Sequence, residues 1–113
     1  MKNILIVSAT LKNNYKLAKK LQDLLESLEK KYSNSIKINV ISLENYQLPI
    51  YTENSFDEHI DKHEDTISKL TDKFVESDGI IICAPEYNGS TPPIVNNAIA
   101  WISTTTDYWR DAF

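Results

Sequence analysis

The chain has one cysteine in 113 residues. Cys83 therefore cannot form an internal disulfide, and a fold held by bridges is excluded. No stretch approaches the ~18 consecutive apolar residues that a bilayer-spanning helix needs. Met1-Lys2-Asn3 runs straight into apolar residues, without the charged and apolar layout of a secretory leader. The expected compartment is the cytoplasm, and no membrane partner is expected. Positive charge is also in short supply: twelve Lys and Arg stand against sixteen Asp and Glu, a formal net charge of −4. That balance argues against general binding to nucleic acid, whose affinity comes largely from cationic contacts to phosphate. There is no H-E-x-x-H. His59 and His63 stand four apart beside Asp61, Glu64 and Asp65, but a zinc site needs further ligands converging from elsewhere, so no metal is expected. No nucleophile or general base stands out, and no residue is assigned a catalytic role. The content of 42% hydrophobic and 25% charged residues suits one small domain covering 1–113.

What is present reads as alternating strands and helices. Ile4-Leu5-Ile6-Val7 is a continuous apolar run, as a central strand requires. Asn13 and Asn14 stand where a helix cap belongs, and Leu17, Leu21, Leu24, Leu25 and Leu28 recur at helical spacing to about Tyr32. Ile36 to Ile41 alternates apolar and polar, as in an outer strand. From Leu43 to Phe56 no period holds, and Asn45, Pro49 and Asn54 punctuate what reads as a loop. Asp57 to Ser77 carries Ile60, Ile67, Leu70, Phe74 and Val75 as an apolar stripe opposite a charged face, which predicts a second helix. Ile80 to Ala84 is again continuously apolar and reads as a strand buried on both faces. A third helix is predicted from about Pro92 to Ser103. Cys83 reads as a small core hydrophobe, with no cation beside it to lower its pKa. Trp101 and Trp109 are expected to pack in a core or an interface.

The two strand ends carry the chemistry. In open α/β sheets small molecules bind beyond the carboxyl ends of the strands. At one such end lies Pro85-Glu86-Tyr87-Asn88-Gly89-Ser90, which offers an aromatic ring, a carboxylate, an amide and a glycine that leaves backbone groups open to a flat heterocycle. At the other, Ser8, Ala9, Thr10, Leu11, Lys12, Asn13 and Asn14 lead into a helix amino terminus, where unpaired amides and the helix dipole favour a phosphate.

The run from Pro85 to Ser90, followed by Thr91-Pro92-Pro93 and the helix Asn97-Ala98-Ile99-Ala100-Trp101, closely resembles the NADPH-dependent FMN reductase family with its P-E-Y-N-G-S loop and N-A-I-x-W helix. Leu48-Pro49-Ile50-Tyr51 resembles the L-P-x-Y segment that the family places after its second strand. The resemblance implies a flavodoxin-like three-layer α/β/α fold, with a parallel sheet whose order begins 2-1-3. It implies FMN as cofactor, NADPH or NADH as co-substrate, and a small acceptor such as a quinone, azo compound or flavin. Carried residue by residue, it assigns Ser8, Thr10, Lys12, Asn13 and Asn14 to the phosphate and Pro85, Glu86, Tyr87, Asn88 and Gly89 to the flavin ring.

Two departures qualify it. The first loop lacks the arginine of the family's G-S-x-R start and is shorter, so backbone amides, Thr10 and the asparagines carry the phosphate reading, with Lys12 as a point charge. Family members also continue for several tens of residues beyond Trp101, with further strands and helices and a third loop against the flavin. This chain is therefore expected to be the amino-terminal part of the fold, with its third strand left as an apolar edge. Dimerisation, or folding back of the tail that holds Tyr108, Trp109 and Phe113, is the expected cover for that edge. An alternative reading is a shortened flavin-binding or interaction module without reductase activity.

Overall fold

The computed structural model describes residues 2–32, 35–52 and 54–104. In chain order these form β1 (Lys2–Ser8), α1 (Asn13–Tyr32), β2 (Ile36–Ser42), a 3-10 turn (Leu43–Asn45), α2 (Ser55–Val75), β3 (Gly79–Cys83) and α3 (Pro93–Ile102). The three strands are parallel and ordered β2-β1-β3. The expected order 2-1-3 is therefore observed, and the fold is flavodoxin-like. The tail residues Tyr108, Trp109 and Phe113 lie outside the described residues.

Of the three strands, β1 is the one buried on both faces. β1 sits in the centre, with Ile6 in register with Val40 on one side and Ile81 on the other. Its successive residues feed opposite layers. Leu5 and Val7 join Leu70, Phe74, Val95 and Ile102 beneath α2 and α3. Ile6 joins Ala18 and Cys83 beneath α1, with Leu21 and Leu25 packed around them. The result is α1 on one face, the sheet, then α2 and α3 on the other. Asn3 fastens β3 to β1 at the amino end: its N–H donates to the Asp78 carboxylate at 2.8 Å, and its carbonyl accepts from the Asp78 N–H at 2.7 Å.

Several boundaries and faces differ from the sequence reading, each for a local reason. The 3-10 turn interrupts the region read as loop, because the Ser42 hydroxyl accepts from the Glu44 N–H at 3.3 Å and starts a turn there. α2 begins two residues early and stops at Val75, where the Ser77 N–H turns back to the Phe74 carbonyl. On α1 the hydrophobic residues Ala18, Leu21 and Leu25 pack against the sheet, while Leu17, Leu24 and Leu28 are exposed. Among the described residues, none covers the α1-side face of β3 fully. Ile81 is 37% exposed, whereas its register partner Ile6 is fully buried. Among the described residues β3 is the outer strand, and none of them lies beyond it to extend the α1 layer. Cys83 is a core residue as expected, and burial pushes its thiol pKa up, away from the reactive thiolate.

Candidate functional site

The loop after β1 is built from the inside. Ser8 is buried, and its hydroxyl donates to the Thr10 carbonyl at 2.5 Å. The Ala9 N–H donates to the Cys83 carbonyl at 2.9 Å, which ties this loop to the end of β3. Thr10 Oγ1 accepts from Asn14 Nδ2 at 3.3 Å, so the Thr10 hydroxyl proton remains available to point outward. The Lys16 N–H reaches the Lys12 carbonyl at 3.1 Å as the helix opens. The amides of Asn13, Asn14 and Tyr15 precede it and are the orphan donors of the helix end. No carboxylate stands in this first turn to compete with an incoming anion.

The loop after β3 is a miniature hairpin. Asn88 and Gly89 both have positive φ, 53° and 75°, and the Tyr87 and Ser90 backbones exchange two hydrogen bonds of 3.0 Å. This is the two-residue turn for which Asn-Gly is the favoured pair, a signal present in the sequence but not used in reading it as an open loop. A Cβ placed on Gly89 would meet only Glu86 Oε1, at 3.8 Å, so the glycine is required by its backbone angle and not by crowding. Tyr87 projects from the turn, half exposed.

The two loops share one cavity of about 510 Å³, lined by Thr10, Leu11, Lys12, Asn13, Asn14, Glu44, Pro85 and Tyr87. That volume lies within the roughly 300–1,000 Å³ usual for small-molecule sites. Six of the ten residues assigned from sequence thus meet around one space. Ser8 is spent on shaping its loop, while Glu86, just before the Tyr87–Ser90 turn, and Asn88 and Gly89 at its centre do not line the cavity. Sequence reasoning missed Leu11 and Glu44 as wall residues. Glu44 was reachable by the same rule that found the others, since it directly follows the carboxyl end of β2.

A second assembly joins the two other motifs. Asn97 Oδ1 accepts from the Tyr51 N–H at 2.7 Å, and Asn97 Nδ2 donates to the Pro49 carbonyl at 3.0 Å. Trp101 Nε1 donates to the same carbonyl at 2.8 Å, and its indole meets Tyr51 edge-on with centroids 4.9 Å apart. The Asn97-to-Trp101 helix thus clamps the Leu48-to-Tyr51 segment. Trp101 is fully buried, a core residue as expected. Among the described residues no three His, Cys, Asp or Glu gather as a metal site would require, and no helix is long and apolar enough to cross a membrane.

A parallel sheet with helices on both faces and a cavity at its carboxyl end is a flavodoxin-like architecture. The sequence model of the NADPH-dependent FMN reductase family matches residues 2–112, and the chain belongs to that family. Among solved structures it is similar to FerB, a flavoenzyme NAD(P)H:(acceptor) oxidoreductase from Paracoccus denitrificans. That likeness has 25% identity and a TM-score of 0.68, over 99% of this chain and 55% of that one. An azoreductase from Bacillus anthracis shares the fold at 17% identity, TM-score 0.63, over 90% of this chain and 55% of that one. By sequence, 45 residues are 38% identical to the NADH:(hydroxy)cinnamate reductase subunit CrdA of Vibrio ruber, covering 40% of this chain and 22% of that protein. A quinone reductase of Escherichia coli is 40% identical over 42 residues, covering 37% of this chain and 22% of that protein. The chain therefore spans about half the length of these solved neighbours, and its matches cover about a fifth of the curated relatives.

Proposed function

We propose that the chain binds FMN in the cavity between the β1 and β3 loops and serves NAD(P)H-dependent reduction of a small acceptor. The observation that carries this is the meeting of both loops around one space of about 510 Å³. The donor set suits a phosphate monoester: the α1 amides, the outward Thr10 hydroxyl, the Asn13 amide and the Lys12 ammonium converge without a carboxylate in the helix's first turn. On the other wall, Pro85 and the Tyr87 ring face a planar group, with Asn88 and Gly89 closing the Tyr87–Ser90 turn that carries Tyr87. Bound FMN would supply the redox chemistry, taking hydride from NADPH or NADH and passing electrons to a quinone, azo compound or flavin. The protein's part is to bind and orient, so the absence of an evident nucleophile or general base is consistent with the assignment. A cytoplasmic location belongs to the same proposal, on the strength of the single Cys83, which builds no internal disulfide, and the acidic composition.

The phosphate assignment has a differential test. Replacing Thr10 and Asn13 together by alanine is expected to weaken FMN about tenfold or more, through two lost hydrogen bonds to a charged group. Riboflavin, which lacks the phosphate, should lose almost nothing. Fluorescence-quenching titrations with both ligands decide the matter, and equal losses would remove the phosphate from the β1 loop. A second reading, flavin binding without reductase activity, is favoured by the half-length match to the solved neighbours. Steady NADPH or NADH oxidation by the FMN-loaded chain with a quinone acceptor argues for the enzyme. Bound flavin that stays oxidised under excess NADPH and NADH argues for the module.

Self-association is also part of the proposal. Ile50 is 80% exposed on the segment that Asn97 and Trp101 clamp. It borders an apolar recess of about 490 Å³ walled by Pro93, Ile94 and Ala100. A rigid apolar knob beside a recess is self-complementary across a twofold axis. Light scattering is expected to return twice the 13.0 kDa chain mass, and Ile50→Asp is expected to return the single mass. A parent chain that stays monomeric at high micromolar concentration contradicts the assignment.

A further inference from the structure

A second space adjoins the β1–β3 cavity on its β2 side. It measures about 430 Å³ and lies between the 3-10 turn, α2 and α3. Leu43, Leu48, Leu70, Ile94 and Ala98 give it apolar walls, and Gln47 stands exposed at its lip. Glu44 lines both spaces and so marks the boundary between them.

The chain path puts Glu44 there. β2 ends at Ser42, whose hydroxyl accepts from the Glu44 N–H and fixes the first turn beyond the strand. β2 is the neighbour of β1, the strand whose loop carries the phosphate reading. A carboxylate at the carboxyl end of the strand beside a phosphate loop is where dinucleotide-binding α/β folds hold the hydroxyls of an adenosine ribose. FMN with its phosphate on the β1 loop and its ring against the β3 loop runs away from β2, and leaves Glu44 without a role.

We infer that the space behind Glu44 is the adenosine subsite of the co-substrate, and that Glu44 makes the chain prefer NADH to NADPH. The inference rests on the reading of the chain as an NAD(P)H-dependent reductase. Three features select a purine nucleoside. The apolar walls take a flat base, in a volume within the usual range of small-molecule sites. The Gln47 carboxamide offers a donor and an acceptor together, the pair that an adenine edge takes. Glu44 offers two acceptor oxygens to the 2′- and 3′-hydroxyls of an unmodified ribose. A nicotinamide stacked on a flavin beside Tyr87 is separated from this subsite by the ends of three strands, two intervals or about 10 Å, which an extended dinucleotide bridges.

Charge decides between the two co-substrates. NADPH carries a phosphate in place of the 2′-hydroxyl, and so brings a dianion to the Glu44 carboxylate. Among the described residues lining either space Lys12 is the one cation, and it belongs to the β1 loop. Lys69 of α2 acts on the Tyr46 phenol but is paired with Asp65 at 3.1 Å. The single arginine of the sequence, Arg110, lies outside the described residues.

The probes are ADP-ribose and its 2′-phosphorylated form, titrated by calorimetry into the FMN-loaded chain. ADP-ribose is expected to bind about tenfold more tightly than the phosphorylated form. Glu44→Gln should bring the two within about twofold, and Glu44→Lys should reverse their order. Glu26→Gln makes the same charge change at an exposed position of α1, and should leave the preference as it was. Gln47→Ala should weaken both probes about threefold without changing their ratio. Amide exchange from Leu43 to Leu48 should slow when ADP-ribose binds. No ADP-ribose binding, a preference for the phosphorylated form, or a preference that survives Glu44→Gln overturns the inference. FMN titrations of the same samples keep the two readings apart. A chain that binds FMN but not ADP-ribose keeps the proposed function and loses this subsite. A chain that shows the Glu44 signature but takes up no FMN keeps the adenosine subsite and loses the flavin reading.

Discussion

Trp101→Ala is expected to destabilise the fold by about 3–5 kcal/mol, the range for truncating a large buried aromatic side chain. The residue is fully buried on α3 beside Val95, Ala98 and Ile102, so the cavity cannot be filled by solvent without wetting the layer beneath α2 and α3. Three interactions go with it: the packed indole volume, the Nε1 hydrogen bond to the Pro49 carbonyl at 2.8 Å, and the edge-to-face contact with Tyr51. Pro49 would still accept from Asn97 Nδ2, so the segment is loosened and not freed. Trp101→Phe separates the contributions. It keeps most of the aromatic volume and loses the donor, for an expected cost of about 1–2 kcal/mol. Urea unfolding with matched slopes measures both. Trp101→Ala within about 1 kcal/mol of the parent would show that the indole is not a keystone of the α3 layer.

The same residue illustrates how much was legible in the sequence. Apolar runs and helical spacing were enough to place three strands and three helices, while the order 2-1-3 came from the family resemblance, since β1 and β3 are both continuously apolar and only one of them is central. The two loops proposed to hold the ligand were found by position, since each follows the carboxyl end of a strand. Contacts between motifs far apart in sequence were not legible. Asn97 and Trp101 were visible as a helix pattern and Leu48 to Tyr51 as a loop pattern, but only the folded chain brings the Pro49 carbonyl to both side chains across 48 and 52 residues. Side-chain direction was also hidden. Ser8 reads as a phosphate ligand from its position, yet its hydroxyl turns inward to the Thr10 carbonyl. The leucines of α1 read as one core stripe. A helix over a narrow sheet can bury only the side chains that face it, so Ala18, Leu21 and Leu25 pack there and the remaining leucines do not. A periodicity identifies an apolar face; the width of what lies beneath decides how much of it is covered.

Gly89→Val is expected to weaken FMN binding about tenfold or more, with an origin in backbone angle and not in bulk. A side chain at this position meets open space, with only Glu86 Oε1 at 3.8 Å from the new Cβ. Gly89 nevertheless sits at φ 75°, a left-handed region that costs an L-residue about 1–2 kcal/mol and is a true outlier for a β-branched one. The turn it closes is held by two backbone hydrogen bonds between Tyr87 and Ser90, each contributing about 0.5–1.5 kcal/mol net. A valine's strain is comparable with that sum, so the turn opens and carries Tyr87 and Pro85 away from the cavity wall. A graded series tests this cause. Gly89→Asn should stay near the parent, since asparagine tolerates the left-handed region and Asn88 already occupies it at φ 53°. Gly89→Ala should fall between Asn and Val. Ser90 amide exchange, which reports the turn without any ligand, should quicken in the same order as FMN affinity falls. A valine variant with a fast Ser90 amide and parental FMN affinity would detach the flavin from this turn, and one with a slow Ser90 amide would show that the turn does not depend on its glycine.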